Sequence, residues 1–339
     1  MKKYNVAIVG ATGAVGKELI TGLAERDFPV AELRLLASSR SHGKKLQFKG
    51  EEITVQECTA NSFANIDIVL FAGGSQSKEF ALDAVKAGCV VIDNSSAFRM
   101  DPEVPLVVPE VNPEDINWHK GLIANPNCST IQMVVALKPI HDAAKIKRII
   151  VSTYQAVSGA GKDGIAALDH EVKEYAATGA ECQKVTDSAF PYPIAFNCIP
   201  QIDSFLADGY TKEEMKMVNE TRKMFHDDSI AINATAVRVP VFRSHSESIT
   251  VETEKPITPE EVKELMHQAP GVVLVDEPAA LEYPMAIYSS GTNAVYVGRI
   301  RQDISSANGI SLWVVADQLR KGAATNAIQI AELIAAKDK

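Results

Sequence analysis

The stretch YNVAIVGATGAVGKELITGL, residues 4–23, decides the fold. An apolar run leads into Gly10-Ala-Thr-Gly13-Ala-Val-Gly16, and the residues that follow carry apolar side chains at helical spacing. Strand, glycine turn and helix in that order open a doubly wound parallel sheet. There the glycines let the backbone approach a diphosphate, and the helix start offers its unpaired N–H groups to it. The spacing is GxxGxxG and not the commoner GxGxxG, so the place of the turn between strand and helix carries more weight than the motif itself. The bland alternative is a glycine turn that holds no ligand.

Outward from that turn the first third continues to alternate. Strand-like runs fall at 4–10, 33–37, 66–71 and 89–93, with helical patterns at 14–26 and 77–87. Buried parallel strands joined by right-handed crossovers are the expected result. The second run ends in Ala37-Ser38-Ser39-Arg40, where an NAD site usually carries an acidic residue for the ribose 2′-hydroxyl. Two hydroxyls and a cation suit the 2′-phosphate of NADP, although Arg40 also reads as a solvated surface residue. Gly73-Gly74 follows the 66–71 run, at a strand end of the kind that faces a ligand in such sheets.

From about residue 130 the pattern changes. A helix over 129–141 leads into a strand over 149–157, and further strands are expected at 232–242, 246–253, 294–300 and 309–316. Helices interrupt at 163–177, 212–226 and 259–267. Several strands follow one another with no helix between them, which predicts a mostly antiparallel sheet and an α+β second domain. Residues 316–337 read as one helix, expected to pack back on the first domain.

Composition bounds the chemistry. The chain has 339 residues, which suits two domains, with 46% hydrophobic and 23% charged residues. No window approaches the roughly 18 uninterrupted apolar residues of a membrane helix, and Met-Lys-Lys runs straight into a strand with no signal region, so the cytoplasm is the expected compartment. A net charge of −9 argues against a nucleic-acid surface, and an anionic substrate would need cations gathered locally. The five cysteines show no CxxC and no metal-type spacing, so neither a disulfide framework nor a metal site is expected.

One cysteine is different. Asn125-Pro-Asn127-Cys128-Ser-Thr places Cys128 at the start of an apolar helix, where N–H groups and the helix dipole stabilise a thiolate. Most cysteines are inert core residues, and Cys89 and Cys198 read that way. A thiol nucleophile needs a base, and of seven histidines His245, in Arg-Ser-His-Ser-Glu between two strands, is best presented. A satisfied structural histidine is the equal alternative; the other six read as surface residues. Arg238 alternates with a row of valines and so projects from the opposite face as a candidate carboxylate clamp. Arg99 lies just past a strand end of the first sheet. Glu220 and Lys223, three apart on a helix, read equally as a solvated pair contributing about 0.2–0.5 kcal/mol.

The segments GATGAVG, DNSSAFRMDPEVPLVVPEVN, NPNCST, YQAVSGAGKDG and RVPVFRSHSE, in this order, resemble aspartate-β-semialdehyde dehydrogenase from residue 4 to the final helix. The resemblance implies reversible reductive dephosphorylation of aspartyl phosphate to aspartate semialdehyde with NADPH, a step feeding lysine (through diaminopimelate), methionine and threonine synthesis. It implies that Cys128 is the acyl-thioester nucleophile and His245 the acid/base, with Asn127 preceding the cysteine. Gln155 would bind substrate, Arg238 its carboxylate and Glu220 its amino group, while Arg99 and Lys223 would hold phosphate. Gly10, Thr12, Gly13, Ala14, Val15, Ser39, Arg40, Gly73, Ser158, Gly159 and Gln318 would contact NADP(H). It further implies an NADP-binding domain of residues 1–129 with 317–339, a catalytic and dimerisation domain of 130–316, and a homodimer built on the second domain's sheet. An N-acetyl-glutamyl-phosphate reductase shares the glycine loop, cysteine and histidine plan; Arg238, Glu220 and Lys223 favour an unacylated aspartyl substrate. A non-catalytic dinucleotide-binding paralogue would have no need of both Cys128 and His245. A cysteine hydrolase would have no use for the glycine turn.

Overall fold

The computed structural model describes residues 2–182 and 188–337; Met1 and the last two residues of the expected first domain lie outside them. The chain divides into two compact units, residues 1–127 with 322–339 and residues 128–321.

The first unit begins with β1 (Tyr4–Val9), α1 (Ala14–Glu25) and β2 (Val30–Ala37), followed by β3 (Lys45–Phe48), β4 (Glu51–Thr54) and β5 (Gln56–Glu57). It continues through β6 (Ile68–Phe71), α2 (Ser75–Lys86), β7 (Val90–Asp93) and β8 (Leu122–Ala124). Six strands form a wholly parallel sheet in the order β5-β2-β1-β6-β7-β8, the doubly wound arrangement that the alternation predicts. Val6, Ile8, Leu35, Ile68, Leu70, Ile92 and Ile123 carry its core, with Leu19 and Leu23 of α1 and Ile328 and Ile330 of the chain's last helix. The β3–β4 hairpin escapes the sequence pattern because its residues are only partly buried; its Lys49-Gly50 turn has φ of 48° and 86°, both in the left-handed region.

The second unit holds α3 (Cys128–Ala144), β9 (Ile146–Gln155), α4 (Gly161–Thr178), α5 (Lys212–Phe225), β10 (Ala231–Arg238), β11 (His245–Thr253) and α6 (Pro259–Gln268). Three further strands, β12 (Val272–Leu274), β13 (Val295–Gln302) and β14 (Gly309–Ala316), complete a sheet of order β10-β9-β11-β14-β13-β12. This sheet is mixed, so the expectation of a mostly antiparallel sheet holds only in part: β10 pairs with β9, and β12 with β13, in parallel, around three antiparallel pairings. Strands adjacent in sequence need not pair. β9 lies between β10 and β11, and the long route from β9 through α4 and α5 brings β10 back in the same direction. Helix α3 is buried on nearly all sides from Ser129 to Leu137, the mark of a central helix.

The end of the chain also differs from its reading as one helix. β14 runs to Ala316, Asp317 Oδ1 accepts from Leu319 N at 2.9 Å, and a π-helical turn over Arg320–Ala324 precedes an α-helix over Thr325–Lys337.

Candidate active site

In the first unit the glycine turn is shaped by close approach. A Cβ on Gly16 would lie 2.2 Å from Gly10 O, so only glycine lets α1 start so near β1. Gly13 caps α1 without a side-chain hydrogen bond, and the first turn, which includes Ala14 and Val15, has no acidic residue. An anion is therefore accommodated there by backbone N–H groups and the helix dipole. Thr12 stands beside this turn, its hydroxyl 3.1 Å from that of Ser41. Ser39 and Arg40 are exposed on the short turn that follows β2. Gly73 and Gly74 have φ of 104° and 88° with open space where a Cβ would stand. A Gly-rich anion cradle with a hydroxyl and a guanidinium nearby fits a phosphorylated dinucleotide.

The same unit holds Arg99 firmly. It is buried, and its Nε and Nη2 donate to Asn125 O (2.9 Å) and Asn94 O (2.8 Å). The two asparagines are joined by Asn125 Nδ2 donating to Asn94 Oδ1 at 2.9 Å, and Asn326 Nδ2 donates to Asn125 Oδ1 at 2.7 Å. Asn94 and Asn125 stand inside motifs visible in the sequence, but their role in fixing a guanidinium was not legible there. Asn127 is buried at the end of this unit.

In the second unit Cys128 is the first residue of α3 and half-buried. Arg238 is close enough for guanidinium and thiolate to act on each other. Two other thiols are unsuited to be nucleophiles: burial pushes Cys58 up to about 12 and Cys89 up to about 11, keeping both protonated, whereas Cys198, read from sequence as a core residue, is exposed. No disulfide links the cysteines, and among the described residues no cluster of His, Cys, Asp and Glu could hold a metal.

His245 opens β11 and is fully buried, not presented on a turn. Ala156 N donates to its Nδ1 at 3.0 Å, so the ring's own proton sits on Nε2. Burial, with Arg238 adding to it, holds the imidazole well below its ordinary value, so the ring is neutral. Gln155, at the end of β9, has its Nε2 at 3.4 Å from His245 Nε2, and Thr153 Oγ1 donates to its Oε1 at 3.0 Å. Arg238 is buried, donates from Nη1 to Ala156 O at 2.7 Å and has the Phe190 ring 5.7 Å from its guanidinium carbon. Gly159 joins these groups: a Cβ there would meet Arg238 Nη1 at 2.8 Å and His245 Nε2 at 3.3 Å.

Helix α5 supplies the third wall. Its start is fixed by a capping box between Thr211 and Glu214. Glu213, in that first turn, accepts from Gln155 Nε2 at 3.2 Å and from Lys216 at 3.0 Å, and Lys216 also reaches Asp203 at 2.9 Å. The Glu213 charge raises the proton affinity of Arg238 against the effect of burial. Sequence reading missed Glu213, since an acid at a helix start needs no further reason. Glu220 on α5 is 1% exposed, which removes the solvated-pair reading; Lys223, three residues on, is half-buried.

Ser158 and Gln318 belong to one support. Gln318 Nε2 donates to Ser158 Oγ, and Gln318 Oε1 accepts from Ser244 N at 2.8 Å. Ser244, with φ of 75°, turns the chain into β11 and so aims His245. Buried Asp317 accepts from Arg243 Nε and, at 2.6 Å, from Gly291 N.

The class follows from comparison with known families. Residues 5–119 match the family described as semialdehyde dehydrogenase, NAD binding domain, and residues 137–321 match semialdehyde dehydrogenase, dimerisation domain. The aspartate-semialdehyde dehydrogenase of Aquifex aeolicus is 61% identical over 335 residues, 98% of each chain. That of Bacillus subtilis is 52% identical, over 97% of this chain and 96% of its own. A crystal structure of aspartate semialdehyde dehydrogenase II from Vibrio cholerae complexed with ASA has a TM-score of 0.94 at 52% identity, covering 99% of both chains. The Candida albicans enzyme with NADP has a TM-score of 0.77 at 26% identity, covering 99% of both. The chain belongs to the aspartate-semialdehyde dehydrogenase family.

Proposed function

We propose that the protein interconverts aspartyl phosphate and aspartate semialdehyde with NADP(H), carrying the acyl group as a thioester on Cys128. The observation that carries this reading is the convergence of Cys128, Arg238, Gly159 and the His245 Nε2 edge within one unit. The Cys128 thiolate attacks the acyl carbon, and the bond to phosphate breaks. The resemblance assigns Arg99 and Lys223 to the leaving phosphate, whose charge a protein of net charge −9 must offset with cations gathered locally. NADPH, when bound, supplies the hydride that reduces the thioester carbonyl. The carbon–sulfur bond then breaks, releasing aldehyde and thiolate.

His245 holds its proton on Nε2, so it serves this reaction as a donor to the oxygen that becomes anionic and not as the resting base for the thiol. Thiolate formation rests on the helix start and on Arg238. Arg238 binds the substrate carboxylate, Glu220 the amino group, and Gln155 the acyl portion, while Asn127 orients the backbone entering the nucleophile helix. The resemblance assigns Gly10, Thr12, Gly13, Ala14, Val15, Gly73, Ser158, Gly159 and Gln318 to contacts with the cofactor, and Ser39 and Arg40 to its 2′-phosphate. The unit of residues 1–127 with 322–339 acts as the cofactor domain and that of 128–321 as the catalytic one, so that Cys128 and Gln318 fall in the second unit and not in the first, where the sequence reading drew the boundaries at 129 and 317.

A homodimer in the cytoplasm completes the proposal. Among the described residues no helix is long and apolar enough to cross a membrane. One face of the second unit's sheet exposes Ile150 and Tyr154, with the Tyr154 and Trp313 rings 5.4 Å apart among Ser152, Ser248 and Thr250. That aromatic and small-hydroxyl face suits a self-complementary contact.

The deciding assay is NADP reduction with aspartate semialdehyde, with and without inorganic phosphate, beside N-acetylglutamate semialdehyde. Phosphate-dependent reduction with the aspartyl substrate alone is expected. Phosphate-independent turnover, or preference for the acetylated substrate, would overturn the assignment.

A further inference from the structure

Behind Cys128 and His245 lies a second pair that the reaction as described does not use. Gln132 is four residues beyond Cys128, hence on the same face of α3; Glu247 is two beyond His245, hence on the same face of β11. Both are fully buried. Gln132 Nε2 donates to His245 O at 3.3 Å, which fixes the amide's orientation, since the reverse would set two acceptors against each other. That leaves Gln132 Oε1 pointing away, and it has no donor; neither has Glu247 Oε1 or Oε2. Three buried acceptor oxygens thus stand in one region.

The strand neighbours of Glu247 are Thr153 on β9 and Val314 on β14, and the Gln132 side chain of α3 bears on it, favouring the ionised form but by less than burial disfavours it. Gln132 offsets only part of the cost of burying a charge there, and an ionised carboxylate with no cation and no well-formed hydrogen bond is among the most expensive groups to bury. A single proton resolves two of the three acceptors: carried on Glu247, it donates to Gln132 Oε1. We propose that Glu247 is a neutral, proton-bearing carboxyl and a positioning residue, whose O–H holds Gln132, which in turn holds the His245 backbone against the nucleophile helix. Burial pushes the same carboxyl well above its ordinary value. Helix and strand are thereby locked in register one turn below the reacting groups. The positioning half of the proposal rests on the reading of His245 given above; the protonation half does not.

Infrared spectra of the full-length protein carrying carboxyl-labelled glutamate test the protonation. At neutral pH the native protein should show a protonated carboxylic band that is missing from E247Q. Denaturant stability against pH gives an independent check. The folded-state value is raised, so the stability is full below the unfolded glutamate value of about 4.3 and is lost as pH rises above it. Relative to E247Q, the native folding constant should fall about tenfold per pH unit there. No band, or parallel stability curves, would overturn the neutral carboxyl and point to an ionised group with a bound water or ion.

Kinetics test the positioning. E247L, which leaves Gln132 Oε1 unpaired, should lose roughly tenfold in kcat with NADPH affinity unchanged, and E247Q should recover most of that loss. A folded E247L with native kcat would overturn the positioning role. If Cys128 and His245 are instead not the reacting groups, kcat will be insensitive to them too, while the infrared result stands.

Discussion

A thiol at the first position of a buried helix has little to spare in its surroundings. Cys128→Ala should abolish turnover while NADPH still binds, measured by initial rates and by cofactor fluorescence titration; near-native rates would refute the thioester. Gly159 makes a sharper probe, because it touches no bond that changes. The Cβ of Gly159→Ala would stand 2.8 Å from Arg238 Nη1, and both groups are held by backbone partners that limit retreat. Such overpacking costs about 1–3 kcal/mol. If it falls on the reacting geometry, kcat/KM for aspartate semialdehyde drops by about tenfold or more, with the folded fraction at room temperature unchanged.

At the level of elements, α5 and β11 explain how much of the site could be read in advance. The strand–turn–helix of residues 4–23, the helix beginning at Cys128 and the strand carrying Arg238 follow from period and punctuation. Arg99 and His245 could be picked out because each follows a strand end or a turn. What holds them could not. Glu213, Asn94, Asn125 and Gln318 act through contacts between segments distant in sequence, and each has an ordinary local reason to be where it is. The mixed pairing of the second sheet was likewise hidden, since strand direction is set by the route of the connection. Removing one such support gives a test. Glu213→Gln keeps the shape but removes the charge beside Arg238 and one partner of Lys216. The Michaelis constant for aspartate semialdehyde should rise about tenfold with kcat changed less; an unaltered constant would mean the carboxylate serves only Lys216.

For the molecule as a whole, acidity and assembly are the measurable properties. His245 is buried uncharged, and its folded value is depressed. Its contribution to stability is therefore full above the unfolded value of about 6.5 and is lost as pH falls below it. H245N should flatten that acid-side loss in denaturant titrations between about pH 7.5 and 5.5, and a loss of equal slope in both proteins would place the titration elsewhere. Tyr154→Asp sets a charge on the aromatic sheet face beside Trp313. With the native protein sedimenting as the proposed dimer, the variant should sediment as a monomer; an unchanged sedimentation coefficient would remove that face from the assembly.

The first unit is written at both ends of the chain. A Cβ on Gly22 of α1 would meet Ile328 at 2.6 Å, so the closing helix is seated directly on α1, with Arg26 and Glu332 joined beside it. During synthesis all strands of the first sheet are made by Ala124, but the helix that covers α1 comes about 200 residues later. The contiguous second unit has no such wait. Chains clipped before Thr325 would lack the helix that packs on α1 and leave apolar surface there uncovered.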